Sequence, residues 1–139
     1  MQNNANEMAV FNTAIYVRLS KEDIVAAQSG RESDSITNQK QLILDFLKDK
    51  PEFNIVSIRI DDGYTGTNFD RPAFQRMLND IKAGRINCVV VKDLSRFGRE
   101  YINSGKYIHR LFPVLGVRLI AINDNIDTIT RDDVVIDSD

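Results

Sequence analysis

Cysteine is almost missing from this chain of 139 residues: Cys88 stands alone. An intramolecular disulfide is therefore excluded, and so is a cysteine-based metal site. Because Cys88 lies inside the apolar run 86–91, it reads as a buried, inert thiol suited to a reducing cytoplasm. Histidine is just as scarce, and the single His109 falls within a predicted helix, far in sequence from any candidate site, where it reads as a surface residue. No apolar run approaches the ~20 residues of a membrane span, and residues 1–10 lack the basic-then-apolar order of a signal peptide. A strong excess of one charge is lacking too. The net charge is −2, but residues 123–139 hold six Asp and one Arg, which leaves residues 1–122 with 17 Lys+Arg against 14 Asp+Glu. That mildly basic body is too weak a footprint to identify a polyanion partner by itself.

What is present is an ordinary globular composition, 42% hydrophobic and 27% charged, long enough for one domain that buries roughly two-thirds of its unfolded surface. The chain is organised around residues 13–20, Thr-Ala-Ile-Tyr-Val-Arg-Leu-Ser, where β-branched and aromatic residues predict a strand. Its period sends Ile15, Val17 and Leu19 to one face and Tyr16, Arg18 and Ser20 to the other. Two readings of the polar face stand side by side. Either this is an edge strand meeting water, or Ser20 is a nucleophile at the carboxyl end of the first strand with Arg18 beside it to hold an anion.

Downstream, residues 21–34 lack a sustained period and read as a loop next to Ser20. Ser35 or Asp34 then caps a helix to about Lys50, with Ile36, Ile43 and Phe46/Leu47 on one face and Pro51 beyond its end. Residues 54–61 alternate as a second strand. After a turn-rich stretch, Pro72 fits the first helical position, with Arg71 at the cap and N–H groups beside it that could seat an anion. This helix carries Phe74, Met77, Leu78 and Ile81 as a core stripe and stops at Gly84. Residues 86–91 read as a fully buried parallel strand, 100–115 as a third helix distorted by Pro113, and 117–122 as a last strand. The order predicts an α/β domain of three layers, a mostly parallel sheet flanked by helices, of flavodoxin-like topology. Residues 1–12 read as a disordered extension, 13–123 as the domain, and 124–139 as a poorly ordered acidic tail or a truncated link to further regions.

In such a sheet the carboxyl ends of the strands share one edge. Arg18 with Ser20, then Arg71, then Arg96 with Arg99 converge there, one hydroxyl facing up to four guanidiniums. Arginines gathered this way repel unless an anion joins them, and their planar forks suit phosphate oxygens. The implied chemistry is phosphoryl transfer to a serine, with each fixed cation worth ~3–4 kcal/mol in the transition state.

These residues carry a family resemblance. Tyr16-Val17-Arg18-Leu19-Ser20, Ser35-Ile36-Thr37-Asn38-Gln39, Tyr64-Thr65-Gly66 through Asp70-Arg71-Pro72, and Ser95-Arg96-Phe97-Gly98-Arg99 occur in an order similar to that of the serine recombinase (resolvase/invertase) catalytic domain, most like the large transposon-type members. The resemblance covers about residues 12–124. It implies that Ser20 attacks double-stranded DNA to form a 5′-phosphoserine and release a 3′-hydroxyl. It also implies that Arg18, Arg71, Arg96 and Arg99 bind the scissile phosphate, with Tyr16, Gln39 and Thr65 in support. Family members work without a metal or high-energy cofactor, as dimers that form a synaptic tetramer, and the setting implied is the bacterial cytoplasm, with no membrane. Many relatives carry Asp where Ser95 stands, so Ser95 and neighbouring Asp93 enter as supporting positions, Asp93 either replacing that carboxylate or capping a helix. The family's oligomerisation helix and DNA-binding regions are not in this sequence, which implies weak DNA affinity and little or no activity for the chain alone.

Three rival readings are weighed against this one. A metal-dependent phosphodiesterase could be built on Asp61, Asp62 and Asp93. A non-catalytic flavodoxin-like module could hold a small phosphate ligand, although no Gly-rich loop supports it. Another hydroxyl, Ser29, Ser33, Ser35 or Ser95, could be the nucleophile, although loop and cap duties account for those serines.

Overall fold

The computed structural model describes residues 10–19, 35–61, 71–97 and 112–129. Strand β1 (Phe11–Arg18) is followed by helix α1 (Ile36–Leu47), strand β2 (Phe53–Asp61), helix α2 (Pro72–Lys82), strand β3 (Cys88–Val91) and strand β4 (Arg118–Ala121). A two-residue strand β5 (Ile126–Asp127) completes a five-stranded sheet in the order β2-β1-β3-β4-β5. β1 pairs in parallel with both β2 and β3, and β3 with β4; only β5 runs antiparallel. This is the α/β fold expected from the alternation of elements.

Local signals account for the helix ends. The Ser35 side chain accepts from the Asn38 N–H at 3.0 Å, so Ser35 is the cap of α1. Helix α2 stops where Gly84 adopts φ +82° and Arg85 N–H reaches back to the Asp80 carbonyl at 2.9 Å. The same pattern closes the helical turn 112–114, with Gly116 at φ +76° and Val117 N–H on the Phe112 carbonyl at 2.8 Å. A left-handed residue after the last turn is cheapest as glycine. The remainder of the helix expected over 100–115, the loop 21–34 and His109 lie outside the described residues.

The two faces of the sheet are packed differently. Ile15, Val17, Cys88, Val90 and Ile120 meet Ile43 and Leu47 of α1. Ala14, Tyr16, Val89 and Val91 meet Phe74, Met77 and Ile81 of α2, together with Phe97 and Phe112. Since α1 and α2 cover opposite faces and the chain steps from β1 to one side for β2 and to the other for β3, the strand order reverses at β1. Crevices at the carboxyl ends of strands form at such a reversal.

Two expectations are corrected. β1 is an interior strand, so the edge-strand reading of Arg18 fails; Tyr16 and Arg18 lie toward its carboxyl end, past the last β3 pair, Ile15 with Val90. β2 is the edge strand, a position its sequence pattern does not reveal, and its Val56, Ile58 and Ile60 are exposed because α1 covers the neighbouring strand rather than this one. The acidic stretch after Asn123 is not uniformly unstructured. Asn125 turns the chain through φ 56°, and Asp127 grips the Arg118 guanidinium with two bonds of 2.9 and 2.7 Å. Buried Thr128 accepts from Leu119 N–H at 2.9 Å. Aspartates that look like a solvated run are thus partly ion-pair and cap residues. Residues 130–139 lie outside the described residues, as do 1–9.

Candidate active site

β1 delivers Arg18 as its last residue, α2 begins immediately after Arg71, and a 3-10 turn, Leu94–Phe97, follows β3 and carries Arg96. These three segments are stitched together at the carboxyl edge of the sheet. The Arg18 guanidinium donates from Nε to the Arg96 carbonyl at 2.9 Å and from one terminal nitrogen to the Ser95 carbonyl at 3.1 Å. Arg96 answers with a terminal nitrogen on the Arg18 carbonyl at 2.9 Å. Arg71 donates to the Phe97 carbonyl at 2.8 Å. These carbonyl acceptors fix the orientation of the guanidiniums.

Burial sharpens the grouping. Arg71 is 9% exposed and Arg96 4%, unusually low for arginine. Phe97 anchors the turn from below, stacked on Tyr16 at 6.0 Å and edge-on to Phe112 at 5.9 Å. The aromatic residue between the two motif arginines is therefore core, and it fixes the height of Arg96 above the sheet.

Gln39, fully buried on α1, accepts from the Arg18 N–H at 3.4 Å and donates to the Arg18 carbonyl at 3.0 Å. Its amide acts as a short piece of neighbouring strand at the end of β1. Ser95 is exposed and its hydroxyl donates to Asp93, which also accepts from the Ser95 N–H at 3.0 Å and faces Arg96 at 3.5 Å. Leu94 N–H is capped by Asp124 at 2.7 Å, so the segment after β4 also steadies this turn.

Tyr16 is buried and its hydroxyl donates to Asp61 at 2.8 Å. Burial raises its pKa far above the ordinary phenol value, and the Asp61 charge and hydrogen bond raise it further. The charges of Arg18 and Arg71 both oppose that rise. Tyr16 is a neutral donor at any physiological pH.

The structure thus gathers Tyr16, Arg18, Gln39, Arg71, Asp93, Ser95 and Arg96. Ser20, Thr65 and Arg99 lie outside the described residues; Leu19, just before Ser20, is held by its N–H on the Asp61 carbonyl at 3.1 Å. The anion seat expected at the start of α2 is corrected: Asp61 accepts from Ala73 N–H at 3.0 Å and Phe74 N–H at 3.1 Å, so the protein's own carboxylate fills it. Sequence reasoning weighed Asp61 only as a metal ligand. The signal available was an acidic residue ending an alternating strand ahead of a helix start, Arg71-Pro72, with no capping side chain of its own. Asp61 and Asp93 are both engaged by the donors above. Among the described residues no group of three or more His, Cys, Asp or Glu is placed to hold a metal ion.

A parallel sheet reversing at β1, with arginines from three segments meeting at its carboxyl edge, defines an α/β domain with a cationic cluster at its strand ends. The family model for the resolvase N-terminal domain matches residues 13–136, and the chain belongs to that family, the catalytic domains of site-specific serine recombinases. It is similar to a resolvase family site-specific recombinase from Streptococcus pneumoniae, with 25% identity over 92% of this chain and 93% of that one and a TM-score of 0.66. It is also similar to the N-terminal catalytic domain of TP901-1 integrase, with 26% identity, 84% and 81% coverage and a TM-score of 0.64. The fold is shared with the C-terminal catalytic domain of ISC1926 TnpA, an IS607-like serine recombinase, at 19% identity, 80% and 69% coverage and a TM-score of 0.60. No curated protein matches the sequence. The family acts on DNA and oligomerises in general, and among the described residues no helix is long and apolar enough to cross a membrane.

Proposed function

We propose that Ser20 is the nucleophile of a DNA strand-cleavage and rejoining reaction, and that Arg18, Arg71, Arg96 and Arg99 hold the scissile phosphate. Ser20 Oγ attacks phosphorus, the bond to the 3′-oxygen breaks, and a 5′-phosphoserine forms. The serine proton passes to a base and the departing 3′-oxygen takes one up. The covalent link conserves the phosphodiester energy, so rejoining needs no nucleotide cofactor. The guanidiniums stabilise charge on the non-bridging oxygens as it develops. Gln39 sets the backbone of Arg18, Asp93 and Ser95 brace Arg96, Thr65 supports the phosphate, and dimers assemble into a synaptic tetramer in a bacterial cytoplasm.

The observation that carries this reading is the reciprocal grip of Arg18 and Arg96, each guanidinium on the other's carbonyl at 2.9 Å, with Arg71 bound to the next residue of the same turn. Cations from remote parts of the chain are held as one unit beside the end of β1. The test is to incubate the complete gene product with DNA spanning the ends of its own element, trap the protein–DNA adduct, and map the linked residue by mass spectrometry. The adduct is expected on Ser20 and absent from Ser20→Ala, with DNA binding retained. An adduct on another side chain would refute the assignment.

A further inference from the structure

Asp61 occupies an unusual position for a residue ending an edge strand: it is 6% exposed and its carboxylate accepts three hydrogen bonds. Two come from the first N–H groups that α2 can offer, because Pro72 has none. The third comes from the Tyr16 hydroxyl on β1. A carboxylate there also meets the positive end of the helix dipole. Arg71 supplies no capping side chain, so the place where α2 starts is decided by Asp61. Arg71 is the residue immediately before that start, and its guanidinium crosses to the Phe97 carbonyl.

We propose that Asp61 is a positioning residue for Arg71. Both its oxygens face into the protein, so it does not meet a phosphate; it pins the first turn of α2 to the end of β1 and thereby aims the adjoining guanidinium at the Arg18–Arg96 pair. Tyr16 belongs to the same device, holding the Asp61 carboxylate from the sheet side. The proposal rests on the reading of Arg71 as a phosphate ligand. It also explains why the helix start beside Arg71 does not seat an anion directly: the main-chain donors serve to orient a side chain instead.

The experiment uses the 139-residue chain, nitrogen-15 labelled, with inorganic phosphate as the probe and the arginine Nε–H signals followed by NMR. Wild type, Asp61→Asn, Arg71→Ala, the double variant and Tyr16→Phe are titrated, and the thermal midpoint of each is recorded. Asp61→Asn is expected to weaken phosphate binding about as much as Arg71→Ala, on the order of tenfold for one charge-assisted contact. The double variant is expected to bind no more weakly than Arg71→Ala, while the thermal cost of Asp61→Asn persists in both backgrounds. A merely structural role would lower affinity additively. Tyr16→Phe, the milder change, is expected to shift the Arg71 signal in the same direction and keeps the test decisive should Asp61→Asn not fold. An undisturbed Arg71 response in Asp61→Asn, or in Tyr16→Phe where only that variant folds, or additive loss in the double variant, would overturn the role of Asp61 and leave the phosphate pocket standing. Absence of any phosphate response at Arg18, Arg71 and Arg96 in the wild type would overturn the pocket and this role with it.

Discussion

Replacing Gln39 by Leu isolates what one buried amide does for Arg18. The two side chains have similar volume, so the site inside α1 stays filled and no cavity term enters. What is lost is the 3.0 Å bond to the Arg18 carbonyl and the longer 3.4 Å bond from its N–H. The carbonyl keeps the Arg96 guanidinium as a donor; the N–H loses the amide oxygen. At ~1 kcal/mol for a neutral hydrogen bond, with part of a desolvation penalty at the N–H, the change costs about 2 kcal/mol. For a chain of this length that lowers the thermal midpoint by roughly 6–10 °C. Gln39→Ala adds a cavity and is expected to cost about 2 kcal/mol more. Urea denaturation of the three proteins measures both steps, with unchanged m-values showing that the denatured state is comparable. A loss below about 0.5 kcal/mol for Gln39→Leu would refute the view that the amide substitutes for a strand neighbour at the end of β1.

Two further outcomes follow from the same geometry. Arg96→Ala in the complete gene product is expected to slow strand cleavage by roughly 10²–10³ if the guanidinium meets the developing charge, whereas a near-normal rate would remove it from the active site. Burial pushes the Cys88 thiol up to about 12, against small opposing effects of Thr13 and Arg118. At pH 8 native Cys88 should therefore react with iodoacetamide about 10³-fold more slowly than in urea, and labelling within tenfold of the unfolded rate would contradict this. Because the raised value favours the protonated thiol in the folded state, its stabilising contribution is complete below pH 9 and is lost as pH climbs toward 12.

Much of the fold was legible because its signals are local. Ser35 before an apolar stripe, Pro72 at a helix start, Gly84 after a helix end and the unbroken run into Val91 each depend on a few neighbours, and each stands where pattern places it. Strand neighbours are not local, and the errors gather there. Tyr16 and Arg18 on one face suggested water, although that face meets α2 and only its carboxyl end opens. Residues 54–61 read as an alternating strand, but nothing in that alternation says that the strand borders the sheet. In the site, Arg18, Arg71 and Arg96 were legible as a group because each follows or ends a strand at what a parallel sheet makes a common edge. Their mutual arrangement was not, since it depends on carbonyls of residues 95–97 that carry no identity in the sequence. Asp61 escaped for the same reason: its partners are two amides and a phenol far along the chain.

The central place of β1 bears on how the domain is made. The strand is synthesised first, yet Asn12 meets Asn54 across 42 residues and Asn87 across 75. None of its parallel pairings can close as a hairpin, so assembly has to bear large loop-closure costs and should be slow for a domain of this length. Until residues 88–90 have left the ribosome, the segment Thr13–Ile15 has no partner on one flank, and a nascent chain is most prone to aggregate in that interval.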